Sequence, residues 1–158
     1  MNGNSIRERI IREVIRRIEG MTFESVKFHK ITRGEIPDDY TGAQGSVLAV
    51  LEGREDHGAT AGRAGQKELE VFLAFAVPLA PGEVGQTLSN NLSAELVKAL
   101  SGQHDMREGG DGAALSCIFT PVATEPNVMA DTDECAMATV EFRLAYRTHT
   151  RDPFALVQ

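Results

Sequence analysis

The chain has 158 residues, of which 42% are hydrophobic and 25% charged, with only seven Phe, two Tyr and no Trp; a single domain of this size buries enough surface to fold without disulfides or metals, around a largely aliphatic core. The formal net charge of −7 argues against generic binding to exposed nucleic acid or anionic membrane. Two cysteines, Cys117 and Cys135, form no C-x-x-C pair or disulfide framework, which points to a reducing compartment.

Residues 5–19 open the chain with an amphipathic helix. Ile6, Ile10, Ile11, Val14, Ile15 and Ile18 share half of a helical wheel. Ser5 is placed as N-cap with Glu8 in capping-box position, and Gly20 is the stop. Glu8–Arg12 and Glu13–Arg17 stand at i,i+4 in the favourable order. Six β-branched residues are poor helix formers, so this helix requires a packing partner. Its outer face carries Arg9, Arg12 and Arg16.

Residues 22–31 alternate as a first strand, Gly34 to Gly45 reads as a loop, and Ser46 to Leu51 is a second strand. Gly53 to Gln66 has four glycines and almost no large apolar residue, and reads as a flexible segment at the tip of a long hairpin. Lys67 to Val77 alternates strictly, with Leu69, Val71, Leu73, Phe75 and Val77 on one face; His29 is read as a half-buried structural residue of the first strand.

Residues 83–101 form the second helix, with Val84, Leu88, Leu92, Leu96, Ala99 and Leu100 in one stripe and Gly102 at its end. Gln103 to Gly112 is another glycine-rich loop. Ala114 to Thr124 is a strand that Pro121 pushes toward an edge or bulge, with Cys117 a small core residue. Asn127 to Glu134 is an acidic turn and Cys135 to Thr148 the last long strand, before a short tail over 149–158. The expected architecture is a single α+β domain. It has two layers, a mostly antiparallel sheet of about five strands with both helices on one face, in the order α-β-β-β-α-β-β. The loops near 34–45, 53–66 and 103–112 are expected to be flexible. The opposite sheet face is incompletely polar, since Phe72, Ala74 and Ala76 lie there, which suggests burial against other subunits.

Catalytic and cofactor signatures are missing. The GATAGRAG run over 58–65 has the glycine density of a phosphate loop but no GK[ST] ending and no following helix. His29, His57, His104 and His149 have no helical metal spacing. Asp131, Asp133 and Glu134 lack the rest of a calcium loop. No G-x-S-x-G elbow occurs. No cofactor and no catalytic residue is expected. The polar start of the chain offers no signal-peptide core, and the longest apolar run, Val71 to Ala80, is too short to span a bilayer.

The opening helix, the second helix after a long apolar strand, and the ending Val140-Glu141-Phe142-Arg143-Leu144-Ala145-Tyr146-Arg147-Thr148 followed by Asp152-Pro153-Phe154 resemble the tail terminator (minor tail, tail completion) proteins of long-tailed bacteriophages and prophages. The resemblance implies a hexameric ring of identical copies. Such a ring caps the tail tube protein, offers a surface to the head–tail connector or stopper, and passes DNA through its lumen without specific binding. It also implies a place in the virion tail, with assembly in the host cytoplasm. Other head–tail joining or tail tube proteins are the alternative, and a small oligomeric enzyme with an intersubunit site is a different one. Residues 1–33 carry eight basic and four acidic side chains, a net of +4; residues 34–158 carry eight and nineteen, a net of −11. Arg9, Arg12 and Arg16 of one copy are therefore expected to meet Asp131, Asp133 and Glu134 of the next. Reversing Arg12 and Arg16 to Glu is expected to weaken assembly. Arg54, His57, Arg63, His104 and Arg107 are expected on loops that reach the tube or connector.

Overall fold

In a computed structural model, residues 4–36, 40, 43, 45–61, 64–107, 114–126, 135–149 and 153 are described. They form an α+β fold with the expected order α-β-β-β-α-β-β, to which one further strand is added.

Helix α1 spans Ile6–Glu19 and is built as its sequence dictates. Ser5 Oγ accepts the Glu8 N–H at 3.3 Å, and the Gly20 N–H closes the last turn on Arg16 O and Arg17 O at 3.2 and 3.1 Å. Ile6, Ile10, Ile11, Val14 and Ile18 are at most 1% exposed. Each such burial contributes about 2 kcal/mol, against a propensity penalty of roughly half a kcal/mol per β-branched residue. Packing decides this helix.

Strand β1 is Lys30–Arg33, β2 Val47–Ala61 and β3 Ala64–Pro78. Helix α2, Gly85–Leu100, follows, then β4 (Gly102–Arg107), β5 (Ala114–Pro126) and β6 (Cys135–His149). The strands form one sheet in the order β1-β2-β3-β6-β5-β4. Only β1–β2 is parallel; every other pair is antiparallel. The central pair β3–β6 keeps an unbroken register from Ala64↔His149 to Pro78↔Cys135. Both strands alternate, so Leu69, Val71, Leu73 and Phe75 lie beside Leu144, Phe142, Val140 and Ala138 on one buried face. The apolar stripes of both helices join that face in a single core. Phe119 and Phe142 meet edge to face there, with centroids 6.1 Å apart.

The structure corrects the expected loops and first strand. Of the segment 53–66 expected as a loop, residues 53–61 belong to β2 and 64–66 to β3. Its glycines weaken the strand locally, but the ladder to β3, itself held by β6, carries it. The register shifts between Glu52 and Glu55 and again between His57 and Thr60. At the first bulge a Cβ on Gly53 would lie 2.7 Å from Glu70 Oε2 and 2.8 Å from the Phe72 ring, so glycine permits the close approach. The expected loop 103–112 likewise begins as β4, paired from Gly102↔Phe119 to Arg107↔Ala114.

The strand expected over 22–31 is confined to Lys30–Arg33. Before it, Phe23, Val26 and Phe28 all pack partly against the core, and Phe23 and Phe28 meet edge to face at 5.6 Å. The Glu24 and Ser25 N–H groups donate to the Glu95 carboxylate of α2. A side chain from the second helix thus satisfies backbone that a strand would have paired. Pro121 stands where expected, at a bulge between Pro121 and Ala123, beyond the end of β4 at Phe119.

Candidate functional site

Two features concentrate chemistry or exposed apolar surface: an ionic cluster at the start of α1, and the sheet face that carries no helices.

The cluster forms because β2 carries acidic residues where its core face runs out. Leu48 and Val50 are buried, but Glu52 and Glu55 continue the strand towards the N-terminus of α1. Arg7 Nε donates to Glu52 Oε1 at 2.8 Å, and Arg33 Nε to Glu52 Oε2 at 2.9 Å. Arg33 Nη1 donates to Glu8 Oε2 at 2.7 Å, and Arg12 Nε to Glu8 Oε1 at 2.8 Å. The result is an alternating chain, Arg12–Glu8–Arg33–Glu52–Arg7, tying α1 to β1 and β2. The Arg33 hydrogen bond, helped by Arg12, holds the Glu8 carboxyl below its ordinary range despite partial burial. Isolated exposed pairs contribute little, but here each carboxylate serves two guanidinium groups.

Beside it, Ser5, Arg7, Glu55, His57, Lys67, Tyr146, Thr148, His149 and Pro153 line a recess of about 430 Å³. The Tyr146 hydroxyl donates to Glu55 Oε2. Burial, reinforced by that hydrogen bond, holds the phenol protonated well above its ordinary range. Lys67 Nζ lies 2.9 Å from His57 Nδ1. An ammonium only donates, so Nδ1 accepts and Nε2 carries the proton, facing Glu55 Oε1 at 3.4 Å. Arg7 Nη1 stands 3.6 Å from the same carboxylate. Glu55 is therefore engaged on both oxygens and Tyr146 cannot act as a base near neutrality. This set joins β2, β3, β6 and α1 rather than presenting a reactive group. Among the described residues no three of His, Cys, Asp and Glu are grouped to hold a metal, and no helix is long and apolar enough to cross a membrane.

The second feature is the far face of the sheet. Both helices cover one side, so the alternate residues of β2, β3, β6 and β5 face away. Register places Leu51 beside Phe72, and Ala145 beside Ile118. Ala49 and Ala76 on this face are buried, and the Tyr40 hydroxyl donates to Ala76 O and Gly45 O. Toward β5 the face opens: Ile118 is 48% exposed and Val122, in the bulge, 49%. Glu68 and Arg143, 3.7 Å apart, and Thr120 intersperse polar groups.

The residues expected to meet across a subunit boundary are only partly placed. Arg12 and Arg16 project from α1, with side chains 63% and 55% exposed, and pair with Glu8 and Glu13 of the same helix. Arg9 is half-buried. Asp131, Asp133 and Glu134 lie outside the described residues. Arg54 and His57 are exposed on β2, where Arg54 pairs with Asp56 at 2.6 Å. Arg63 lies outside the described residues. His104 and Arg107 belong to β4, four strand spacings from β2, or about 19 Å across the sheet. Glu52, Glu55, Lys67 and Tyr146 were not singled out from sequence. One signal was present: Glu52 continues the Leu48–Val50 phase, and a carboxylate at a core-phase position calls for a cation.

No family model and no curated protein matches the chain. Among solved structures, one chain that bears only a sequence identifier as its name shares 16% identity. It covers 88% of this chain and 92% of its own, with a TM-score of 0.45.

Proposed function

We propose that this protein is a structural component of a phage tail: a tail terminator whose copies close into a ring on the tail tube and meet the head connector. The observation that carries the reading is the helix-free sheet face, where Ile118 and Val122 stand half exposed on β5, while Phe72 and Leu51 lie on β3 and β2 beyond the intervening β6. Large side chains left half exposed in this way are covered most economically by another protein surface. A copy that presents this face to a different patch of its neighbour makes a heterologous contact, the type that closes into rings. The ring size of six, the tube and connector partners and the lumen for DNA come from the resemblance of the chain's ending and element order. An acidic body, net −11 over residues 34–158, suits a lumen through which phosphates slide without being held.

The alternative within the same machine is a tube or stopper protein. Electron micrographs of the purified protein separate them. Closed rings of uniform diameter are the expected result; open stacks of indefinite length would replace the terminator with a tube protein.

A further inference from the structure

We propose that the polar recess at the N-terminal end of α1 binds a small tetrahedral oxyanion of the phosphate class, held between Arg7, Lys67 and the hydroxyl of Thr148. The recess, about 430 Å³, is lined from the start of α1 and from β2, β3 and β6. Thr148 follows Tyr146 on the buried face of β6 and lines the same space. It is 2% exposed, and its Oγ1 has no hydrogen-bond partner among the described residues. A hydroxyl kept dry without a partner costs the fold stability, a cost that a bound acceptor would offset.

The class of ligand follows from the groups that have protons left to give. Lys67 Nζ donates to His57 Nδ1 at 2.9 Å and pairs with no carboxylate among the described residues, so two of its N–H bonds are uncommitted there. Arg7 commits Nε to Glu52 but stands 3.6 Å from Glu55 through Nη1, beyond hydrogen-bond reach. Its terminal N–H groups therefore remain available. Ser5 Oγ accepts the Glu8 N–H and keeps its own proton, at the positive end of a 14-residue helix. These donors come from α1, β3 and β6, on different sides of the space, which suits an anion with oxygens in several directions. Glu55 is the one carboxylate of the lining, and Tyr146 and His57 already face its two oxygens. The ionic chain from Arg12 to Arg7 has three guanidinium groups to two carboxylates. The recess adds Lys67 and Glu55, so one positive charge is left in excess and a cation is the poorer occupant.

The test is calorimetric titration of inorganic phosphate into the full chain at neutral pH and constant ionic strength. Saturable uptake of one anion per chain is expected. Lys67→Met and Thr148→Val are each expected to weaken it about tenfold or more, as when a hydrogen bond to a charged group is removed. Thr148→Val keeps the branched shape and is expected to melt no lower than the native chain in phosphate-free buffer, which separates lost binding from lost folding. Lys98→Met removes a charge from the exposed side of α2 and is expected to bind as the native chain does. Sulfate is expected to compete, and planar acetate to compete more weakly. No saturable uptake, binding that either recess variant leaves unchanged, or an equal loss in Lys98→Met overturns the site. Acetate competing as well as sulfate overturns the assignment to a tetrahedral anion.

Discussion

Thr148 stands on the core face of β6, 2% exposed, and its Oγ1 has no hydrogen-bond partner. A buried hydroxyl without a partner forfeits its hydration for nothing. Thr148→Val keeps the branched shape and strand preference while removing that oxygen, and is expected to stabilise the fold by about 1 kcal/mol. Urea unfolding checks this, and a lowered midpoint would show that the hydroxyl is satisfied in solution. Two residues earlier, Tyr146 buries a hydroxyl that is satisfied, by Glu55. Its phenol is held protonated above the ordinary range, and burial, with Cys135 nearby, pushes Tyr40 up to about 12. These are the only two tyrosines. Tyrosinate absorbance is therefore expected to stay low in the folded protein at about pH 10.5, while the urea-unfolded chain titrates near 10. Because folding raises both values, the neutral forms are favoured in the native state. Their stabilisation is complete below about pH 10 and is lost as pH rises through about 12 and beyond. A folded protein that titrates fully near pH 10 would contradict both burials.

At the scale of elements, the turn into β2 depends on one glycine. Gly45 adopts φ +80°, and a Cβ there would lie 2.8 Å from the His29 ring. That ring accepts the Ser46 N–H on Nδ1 at 3.2 Å, while the His29 N–H donates to Ser46 O. His29 is structural, as expected, though exposed rather than half-buried. Gly34 also has a positive φ, +107°, but open space around it. Gly34→Ala should cost about 1 kcal/mol from backbone strain alone, and Gly45→Ala more, since it adds overlap with the imidazole. Thermal melts of the two variants compare them directly; equal losses would mean that the His29 contact does not hold the turn. The elements legible in sequence were those buried on one face. Both helices and the β3–β6 pair announce themselves by a 3.6- or 2-residue period that burial imposes. The outer half of the hairpin and β4 did not, because pairing with the next strand, β2 to β3 and β4 to β5, holds them rather than an apolar period of their own. The ionic cluster was hidden because its partners are distant in sequence: Arg7 and Glu52 are 45 positions apart, and Tyr146 and Glu55 91. Local spacing reported the Glu8–Arg12 pair, which forms, and Glu13 also pairs with Arg16 at i+3.

At the scale of the whole molecule, the fold separates two kinds of surface. One sheet face is sealed by helices and stitched at its end by charges; the other is left with Ile118 and Val122 open. The basic outer face of α1 is a poorer first test of assembly than it is from sequence. Arg12→Glu and Arg16→Glu would set like charges against Glu8 and Glu13 within the helix and destabilise the subunit itself. Ile118 and Val122 have no such role in the core, so charges placed there act on association. The direct measurement is the solution mass, by light scattering, of the native protein and of the double variant Ile118→Asp, Val122→Asp, each with its melting curve. The expected result is a closed multimer for the native chain and a variant that falls to the 17.1 kDa subunit with an unchanged melt. A native protein of 17.1 kDa, or a variant that keeps the full multimer mass, would contradict the account.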